Sequence, residues 1–208
     1  MRNTYYGFIF GLAMIVALAG CGGGMGAPGS SGSDETGIII KSVSLVPTNV
    51  DVDTHVHLCA GGTPEPGLFR EDATVTINAT KLIPSSTDDP FSASVEECTI
   101  TYRKANGDPA SPIIEAMTVY PNCTLIDGSS TCTMALLDVQ RKVTWWDDLA
   151  VGPSSSVCPS TGLFGAYCPA EYPTHYVASF NCKYVNAFGK SGFFQTEVDL
   201  WLADWNLC

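Results

Sequence analysis

Residues 174–203 read THYVASFNCKYVNAFGKSGFFQTEVDLWLA, and this stretch decides the fold class. Its first half alternates apolar with polar side chains, the apolar set being Tyr176, Ala178, Phe180, Cys182 and Tyr184. After the Gly-containing segment 186–192, the alternation resumes with Phe194, Val198, Leu200 and Leu202. A period of two residues is typical of strands with one buried and one solvated face. The stretch therefore predicts an antiparallel hairpin of strands Thr174–Val185 and Phe193–Ala203.

The same signature extends outward from the hairpin to residue 38. Short alternating runs occur there, and no long stretch has the 3.6-residue period of an amphipathic helix. Prolines fall between the runs, where a missing N–H breaks no ladder of hydrogen bonds. The further predicted strands are Ile38–Val46, Val50–Leu58, Thr74–Leu82, Ser94–Arg103, Ile113–Tyr120, Thr131–Val139 and Lys142–Trp146. The sequence thus predicts an all-β fold.

The final hairpin resembles the closing hairpin of bacterial immunoglobulin-like and fibronectin-III-like domains. In those domains an aromatic-rich strand leads through a Gly-containing turn into a last alternating strand. The resemblance implies an antiparallel immunoglobulin-like β-sandwich. Residues 38–208 exceed the ~100 residues of such a sandwich, so we expect one elaborated domain with long loops at 60–72, 84–92 and 147–173. Two smaller domains are the alternative, although no linker-like break is visible inside this region.

The N-terminus is organised as an export signal, with a short polar start, an apolar run over residues 8–17 and then small residues. The apolar run is too short to span a hydrocarbon core, which needs about 20 apolar residues. It is followed by Leu18-Ala19-Gly20-Cys21, which resembles the lipobox of bacterial lipoprotein precursors. The resemblance implies that residues 1–20 are a signal peptide and that Cys21 carries covalent lipid.

Residues near the lipobox indicate the destination and the tether. In lipoproteins an Asp after the lipidated cysteine retains the protein at the inner membrane, so Gly22 favours the outer membrane, on its periplasmic or cell-surface face. An ordinary secretory signal with a chance cysteine is the alternative. Residues 22–37 read GGGMGAPGSSGSDETG, a composition that predicts a flexible linker between Cys21 and the sandwich.

The cysteines predict a disulfide framework. Eight cysteines follow Cys21, and an even number in an exported chain is typical of paired thiols; they are Cys59, Cys98, Cys123, Cys132, Cys158, Cys168, Cys182 and Cys208. Cys123 and Cys132 flank an Asp-Gly turn signal, which favours a bridge between them, and Cys158 and Cys168 bracket a Gly-rich loop. The other four cysteines cannot be paired from sequence, although hairpin geometry disfavours Cys182–Cys208. No C-x-x-C occurs, so a zinc ribbon is disfavoured.

The charge balance limits the possible partners. The chain has 10 basic and 21 acidic residues, a net charge of −11, and no basic stripe. Nucleic acid is therefore not expected as a partner, and neither is electrostatic docking to anionic lipid. We expect contact with the membrane through the lipid anchor instead.

One strand carries a candidate metal site. In DVDTHVHLC (51–59), alternation places Asp51, Asp53, His55, His57 and Cys59 on one face, and Cys59 is expected in a disulfide. Two histidines spaced in this way can hold Zn²⁺ or Cu²⁺. The competing interpretation is an amphipathic strand that presents polar side chains to water, and no third ligand is identifiable.

Acidic pairs and catalytic motifs give weaker signals. Asp88-Asp89, Glu96-Glu97 and Asp147-Asp148 suggest calcium ligands, but no EF-hand loop occurs and solvated acids explain them equally well. No G-x-S-x-G motif occurs, and His175 has no identifiable acid or nucleophile partner. We therefore expect no catalytic residues, no enzyme activity and no cofactor beyond the lipid on Cys21.

Aromatic residues are the remaining candidates for a binding surface. Trp145, Trp146 and Trp201 suit a face that binds a glycan or an envelope protein, unless loops cover them. In a strand, one of Trp145 and Trp146 must face outward. The sequence therefore predicts a non-catalytic binding or structural module of the bacterial cell envelope. The alternatives are an accessory subunit of an outer-membrane complex and a metal-binding envelope protein that uses His55 and His57.

Overall fold

The computed structural model of the chain describes Ser31 and residues 33–56, 67–82, 92–107, 111–151 and 173–204. Two helices and nine strands lie in these ranges. In chain order they are α1 (Ser33–Thr36), β1 (Ile38–Val46), β2 (Asn49–Asp53), β3 (Glu71–Lys81), β4 (Ala93–Lys104), β5 (Met117–Val119), β6 (Cys123–Leu125), β7 (Gly128–Leu137), α2 (Val139–Val151), β8 (Thr174–Asn186) and β9 (Ser191–Ala203). None of the helices in the described part of the chain is long and apolar enough to cross a bilayer.

The strands form two sheets. The smaller sheet has the order β1-β3-β7, and the larger has the order β2-β9-β8-β4-β5, with β6 also paired to β4. Neighbouring strands are antiparallel except β2 and β9, which run parallel. The predicted all-β sandwich is therefore confirmed.

The predicted hairpin is the centre of the larger sheet. Along β8, every second residue from Thr174 to Asn186 is buried, and β9 buries Phe194, Val198, Leu200 and Leu202. The remaining side chains of both strands lie on the other face of the sheet. Burying an aliphatic or aromatic side chain contributes roughly 1.5–3 kcal/mol, so the alternating pattern of this hairpin fixes which face meets the core.

The predicted strand Lys142–Trp146 is wrong, because these residues lie in α2. Asp138 begins the helix as its N-cap, since its Oδ1 accepts a hydrogen bond from the Arg141 N–H at 2.8 Å. The buried positions of α2 are Lys142, Trp145 and Leu149, which are spaced by three and four residues as on one face of a helix.

Two other strand predictions differ in their bounds. β2 ends at Asp53, before the predicted Leu58. The next residue, Thr54, donates from both its N–H and its hydroxyl to the carbonyl of Ala203. The predicted strand 113–120 is reduced to the three residues of β5.

Two disulfides lie in the described residues. Cys123–Cys132 closes the turn between β6 and β7, as the sequence predicts. Cys98–Cys182, which sequence reasoning leaves open, joins directly opposed residues of β4 and β8 inside the core. The predicted Cys158–Cys168 bridge, together with Cys59 and Cys208, lies outside the described residues.

Candidate functional site

The alternation that builds the core also builds a polar surface on the outside of the larger sheet. Outward-facing residues of β4, β8 and β9 line a groove of about 490 Å³. We call it the outer-face groove; its polar side chains are Thr99, Thr101, Ser179, Asn181, Gln195 and Glu197. Each of these residues follows or precedes a buried one in its strand, so core packing fixes where the groove side chains point.

Strand register arranges the groove residues in two parallel rows. One row runs Thr101, Ser179, Glu197 across the three strands. Two of its members are linked, because the Ser179 hydroxyl donates a hydrogen bond of 2.7 Å to Glu197 Oε1. Directly opposed side chains in antiparallel strands lie about 4.5–5.5 Å apart at Cβ, so each row presents polar groups at a spacing of a few ångströms.

The second row runs Thr99, Asn181, Gln195 across the same strands. Asn181 and Gln195 each carry an amide that can both donate and accept hydrogen bonds. Since none of the three side chains is charged, this row offers neutral, two-way hydrogen bonding.

An aromatic pair lies on the same strands, toward the end of the sheet where β9 finishes. The rings of His175 and Trp201 stack with centroids 4.2 Å apart and an interplanar angle of 7°. His175 Nε2 lies 2.9 Å from Asp199 Oδ1, which holds the imidazole in place. His175 stands opposite Trp201 in the register, two outward-facing positions along β8 from Ser179. A flat aromatic surface therefore flanks the outer-face groove.

The groove and the aromatic pair together offer hydrogen bonding and stacking, and no metal site. No group of three or more metal-ligating side chains occurs among the described residues. Two carboxylates, Glu197 and Asp199, lie two residues apart on the outer face. Each is engaged by a neighbour on β8, Glu197 by Ser179 and Asp199 by His175.

The three predicted tryptophans have different positions. Trp201 lies on the outer face, partly exposed, beside the groove. Trp145 is a correction: it is 1% exposed, and its Nε1 donates to the Tyr176 hydroxyl at 2.8 Å, so it is a core residue and not part of a binding surface. The reason is that Trp145 lies on the face of α2 that packs against the sheets. In a strand, either Trp145 or Trp146 could have been the buried residue.

Trp146 and the predicted metal ligand His55 meet each other. Trp146 is partly exposed, and its ring centroid lies 4.6 Å from that of His55. His55 follows the end of β2, while His57 lies outside the described residues. The structure thus brings His55, beyond the end of β2 at Asp53, to an aromatic ring on α2. The predicted pairing of His55 with His57 lies in part outside the described residues.

The other predicted sites are only partly described. Cys21 and the pair Asp88-Asp89 lie outside the described residues. Asp147-Asp148 lies on α2 rather than in a loop. Glu96-Glu97 lies at an irregularity of β4 between Val95 and Glu97, and Glu97 stands opposite Lys183 in the register.

Sequence reasoning identified the polar side of the last hairpin but missed its continuation. Thr99 and Thr101 alternate with the buried Cys98 and Ile100, so the sequence carries a signal that β4 has a polar face. The sequence does not indicate that β4 lies beside β8; the observed strand pairing shows it.

Comparison with protein-family models, with curated proteins and with solved structures finds no match for this chain.

Proposed function

We propose that this protein is a lipoprotein of the bacterial outer membrane, anchored through Cys21, whose sandwich binds a carbohydrate without catalysis. The lipobox and the short apolar run before it support the anchor. The outer-face groove supports carbohydrate binding, and it is the observation that carries the proposal.

The groove matches the chemistry of a sugar. A sugar ring presents closely spaced hydroxyls, which both donate and accept hydrogen bonds, and an apolar C–H face. The row Thr99, Asn181, Gln195 supplies donors and acceptors of both kinds. The stack of His175 and Trp201 supplies a flat surface for the C–H face.

The negative charge of the protein indicates which class of carbohydrate the groove would bind. Glu197 and Asp199 lie on the same face, and the whole chain has a net charge of −11. This charge repels anionic ligands. The groove therefore suits neutral or amino sugars better than acidic polysaccharides.

A matched pair of asparagine variants tests carbohydrate binding. The purified full chain is screened on an array of neutral and amino-sugar oligosaccharides, and a ligand found there is titrated by calorimetry. Asn181→Ala removes an amide from the groove, while the control Asn78→Ala removes one from the outside of the smaller sheet, where it bonds Ser42. A net hydrogen bond contributes about 0.5–1.5 kcal/mol, so Asn181→Ala should weaken binding by about 2- to 10-fold and Asn78→Ala should not. Equal affinities of the two variants, or no array ligand, would contradict the proposal.

The anchor has its own test. Cells fed radiolabelled palmitate should incorporate the label into the wild-type protein and not into Cys21→Ala. The variant should also leave the detergent phase on phase partitioning. Unchanged partitioning of Cys21→Ala would overturn the anchor while leaving the groove proposal standing.

A second candidate function rests on the β5 edge of the larger sheet. Ile113 and Tyr120 flank this three-residue strand, and both are exposed large apolar side chains. Exposed large apolar side chains beside the edge of a sheet are typical of a docking site for another protein. If the protein is an accessory subunit, Ile113→Asp should prevent it from joining its complex. Native gels of solubilised envelope would then show the variant in a smaller species than the wild-type protein.

A further inference from the structure

The chain reaches the sandwich at the turn end of the β8–β9 hairpin. Ser31 pairs with Phe193 through two backbone hydrogen bonds of 2.9 and 3.2 Å. The Tyr184 hydroxyl donates to the Ser31 carbonyl at 3.0 Å. Ser31 and residues 33–36 lie inside the range predicted as linker, so this attachment point is ten residues after Cys21.

The turn at this end is held rigidly by Asn186. Its Oδ1 accepts hydrogen bonds from the N–H groups of Phe188 and Lys190, at 3.0 and 2.9 Å. Its Nδ2 donates to the carbonyl of Thr36 in α1 at 3.0 Å. Gly189 adopts a φ of 75°, which the tight turn requires. The turn and the incoming segment therefore form one unit.

This rigid turn presents an apolar side chain to solvent. Phe188 is 65% exposed, although the turn around it is fully hydrogen-bonded. Two further exposed apolar residues lie at the same end of the sandwich: Leu82, whose N–H donates to Gly37, and Ile126, which follows β6. We call Leu82, Ile126 and Phe188 the apolar tip.

The tether limits how far the apolar tip can be from the anchor. Ser31 is ten residues after Cys21, and a chain spans at most about 3.3–3.6 Å per residue. Ser31 therefore lies within about 36 Å of the lipidated residue, and the apolar tip is the end of the sandwich to which this tether is joined.

We propose that the apolar tip inserts into the surface of the bilayer that holds Cys21. This inference rests on the proposed lipid anchor. The occupant is the membrane because the tether ends at this tip and brings it to the bilayer at high effective concentration. Lys190 is exposed beside Phe188 and suits lipid phosphates, whereas Glu35 in α1 is also exposed, so apolar contact and not net charge drives the insertion.

Insertion fixes the orientation of the molecule. The stack of His175 and Trp201 lies at the opposite end of the hairpin from the apolar tip. With the tip in the bilayer, the aromatic pair points away from the membrane and the outer-face groove stands beside it, open to ligands.

Two exposed phenylalanines provide a matched test. Phe69 is 69% exposed and lies beyond the start of β3, at the opposite end from Leu82. The eleven residues of β3 separate the two ends by about 36 Å at ~3.3 Å per residue. The full, lipidated chain is labelled with fluorophenylalanine and reconstituted in nanodiscs of phosphatidylethanolamine and phosphatidylglycerol. Phe188→Leu and Phe69→Leu each remove one fluorine resonance and so assign it.

A nitroxide-labelled lipid then reports proximity. Loss of the Phe188 resonance with survival of the Phe69 resonance supports insertion. Survival of both resonances overturns the inference. A chemical shift of the Phe188 resonance that depends on protein concentration in the absence of nitroxide also overturns it, because a second copy of the chain then covers the apolar tip. Mass spectrometry of Cys21 separates the two proposals: an acylated chain with both resonances intact refutes insertion alone, whereas an unacylated chain refutes the anchor and the inference together.

Discussion

Tyr102 shows at the scale of one residue how the two sheets are joined. It lies on the inner face of β4, and its hydroxyl donates a hydrogen bond of 2.6 Å to the carbonyl of Leu136 in β7. Burial raises the pKa of Tyr102 well above the ordinary value for a tyrosine. Burial also raises the pKa of Tyr184, whose hydroxyl holds Ser31. Both side chains are therefore protonated in the folded protein at pH values where an unfolded tyrosine is not.

We expect stability to fall at alkaline pH for this reason. An unfolded tyrosine loses its proton from about pH 10, while Tyr102 keeps its proton when folded. The unfolded state then binds fewer protons, so the free energy of unfolding decreases as pH rises, by up to about 1.4 kcal/mol per pH unit for each such tyrosine. Urea midpoints between pH 8 and 11 measure this slope. Tyr102→Phe should flatten it, whereas Tyr120→Phe, at an exposed position, should not; identical slopes in the two variants would argue against the explanation.

Gly192 is a second residue at which the structure leaves no room. A Cβ added there would collide with the Tyr184 ring and with the Ser31 carbonyl. Gly192→Ala should therefore lower stability by about 1–3 kcal/mol, as overpacking generally does, and should loosen residues 31–36. Thermal unfolding and amide exchange of Ser31 measure the two effects. Gly67→Ala is the control, because nothing lies within 4 Å of a Cβ at that position; equal effects would contradict the prediction.

At the scale of elements, α2 is the feature that sequence reasoning got wrong. The short stretch Lys142–Trp146 has the alternation of a strand, so the sequence pattern predicts a strand there. The information for a helix was present in Asp138 as N-cap and in the spacing of Lys142, Trp145 and Leu149. Lys142 made the helical period of the buried residues difficult to recognise, because a lysine is not expected on a buried face.

Lys142 is tolerated in the core because Glu71 pairs with it. Its Nζ lies 2.6 Å from Glu71 Oε1, and the lysine side chain is 2% exposed while that of Glu71 is 30% exposed. Glu71→Gln leaves a buried charge without its counterion and should cost about 3 kcal/mol. Lys142→Met removes the buried charge and leaves a carboxylate that water can reach, so we expect a loss below about 1 kcal/mol. Urea unfolding of the two variants measures the asymmetry, and a larger loss for Lys142→Met would refute this account.

The strands of the hairpin, in contrast, were predicted almost to the residue. β8 and β9 are long; β8 alternates along its whole length, and β9 departs from alternation only at Thr196 and Ala203. Shorter strands were predicted less well. β2 and β5 have five and three residues, and an alternating pattern over so few residues does not define where a strand ends.

At the scale of the whole molecule, features that depend on the pairing of strands distant in sequence could not be predicted from the sequence. The polar face of β8 and β9 was visible, but the outer-face groove needs β4, which lies about 80 residues earlier in the chain. The bridge between Cys98 and Cys182 depends on the same pairing of β4 with β8. Cys123–Cys132 was predictable because its residues flank a local turn.

The two disulfides should therefore differ in what they contribute to the stability of the whole molecule. Cys98 and Cys182 are 84 residues apart in sequence, and Cys123 and Cys132 are 9 apart. If a bridge acts by restricting the unfolded chain, the longer loop contributes about 4.6 kcal/mol and the shorter about 2.6 kcal/mol. The double variant Cys98→Ala/Cys182→Ala should then lose about 2 kcal/mol more than Cys123→Ala/Cys132→Ala in urea unfolding of the oxidised full chain. Each pair removes the same atoms and serves as the other's control. Equal losses would show that loop closure is not the source of the stability, and a larger loss from the short loop would show that the turn between β6 and β7 matters more than the link between β4 and β8.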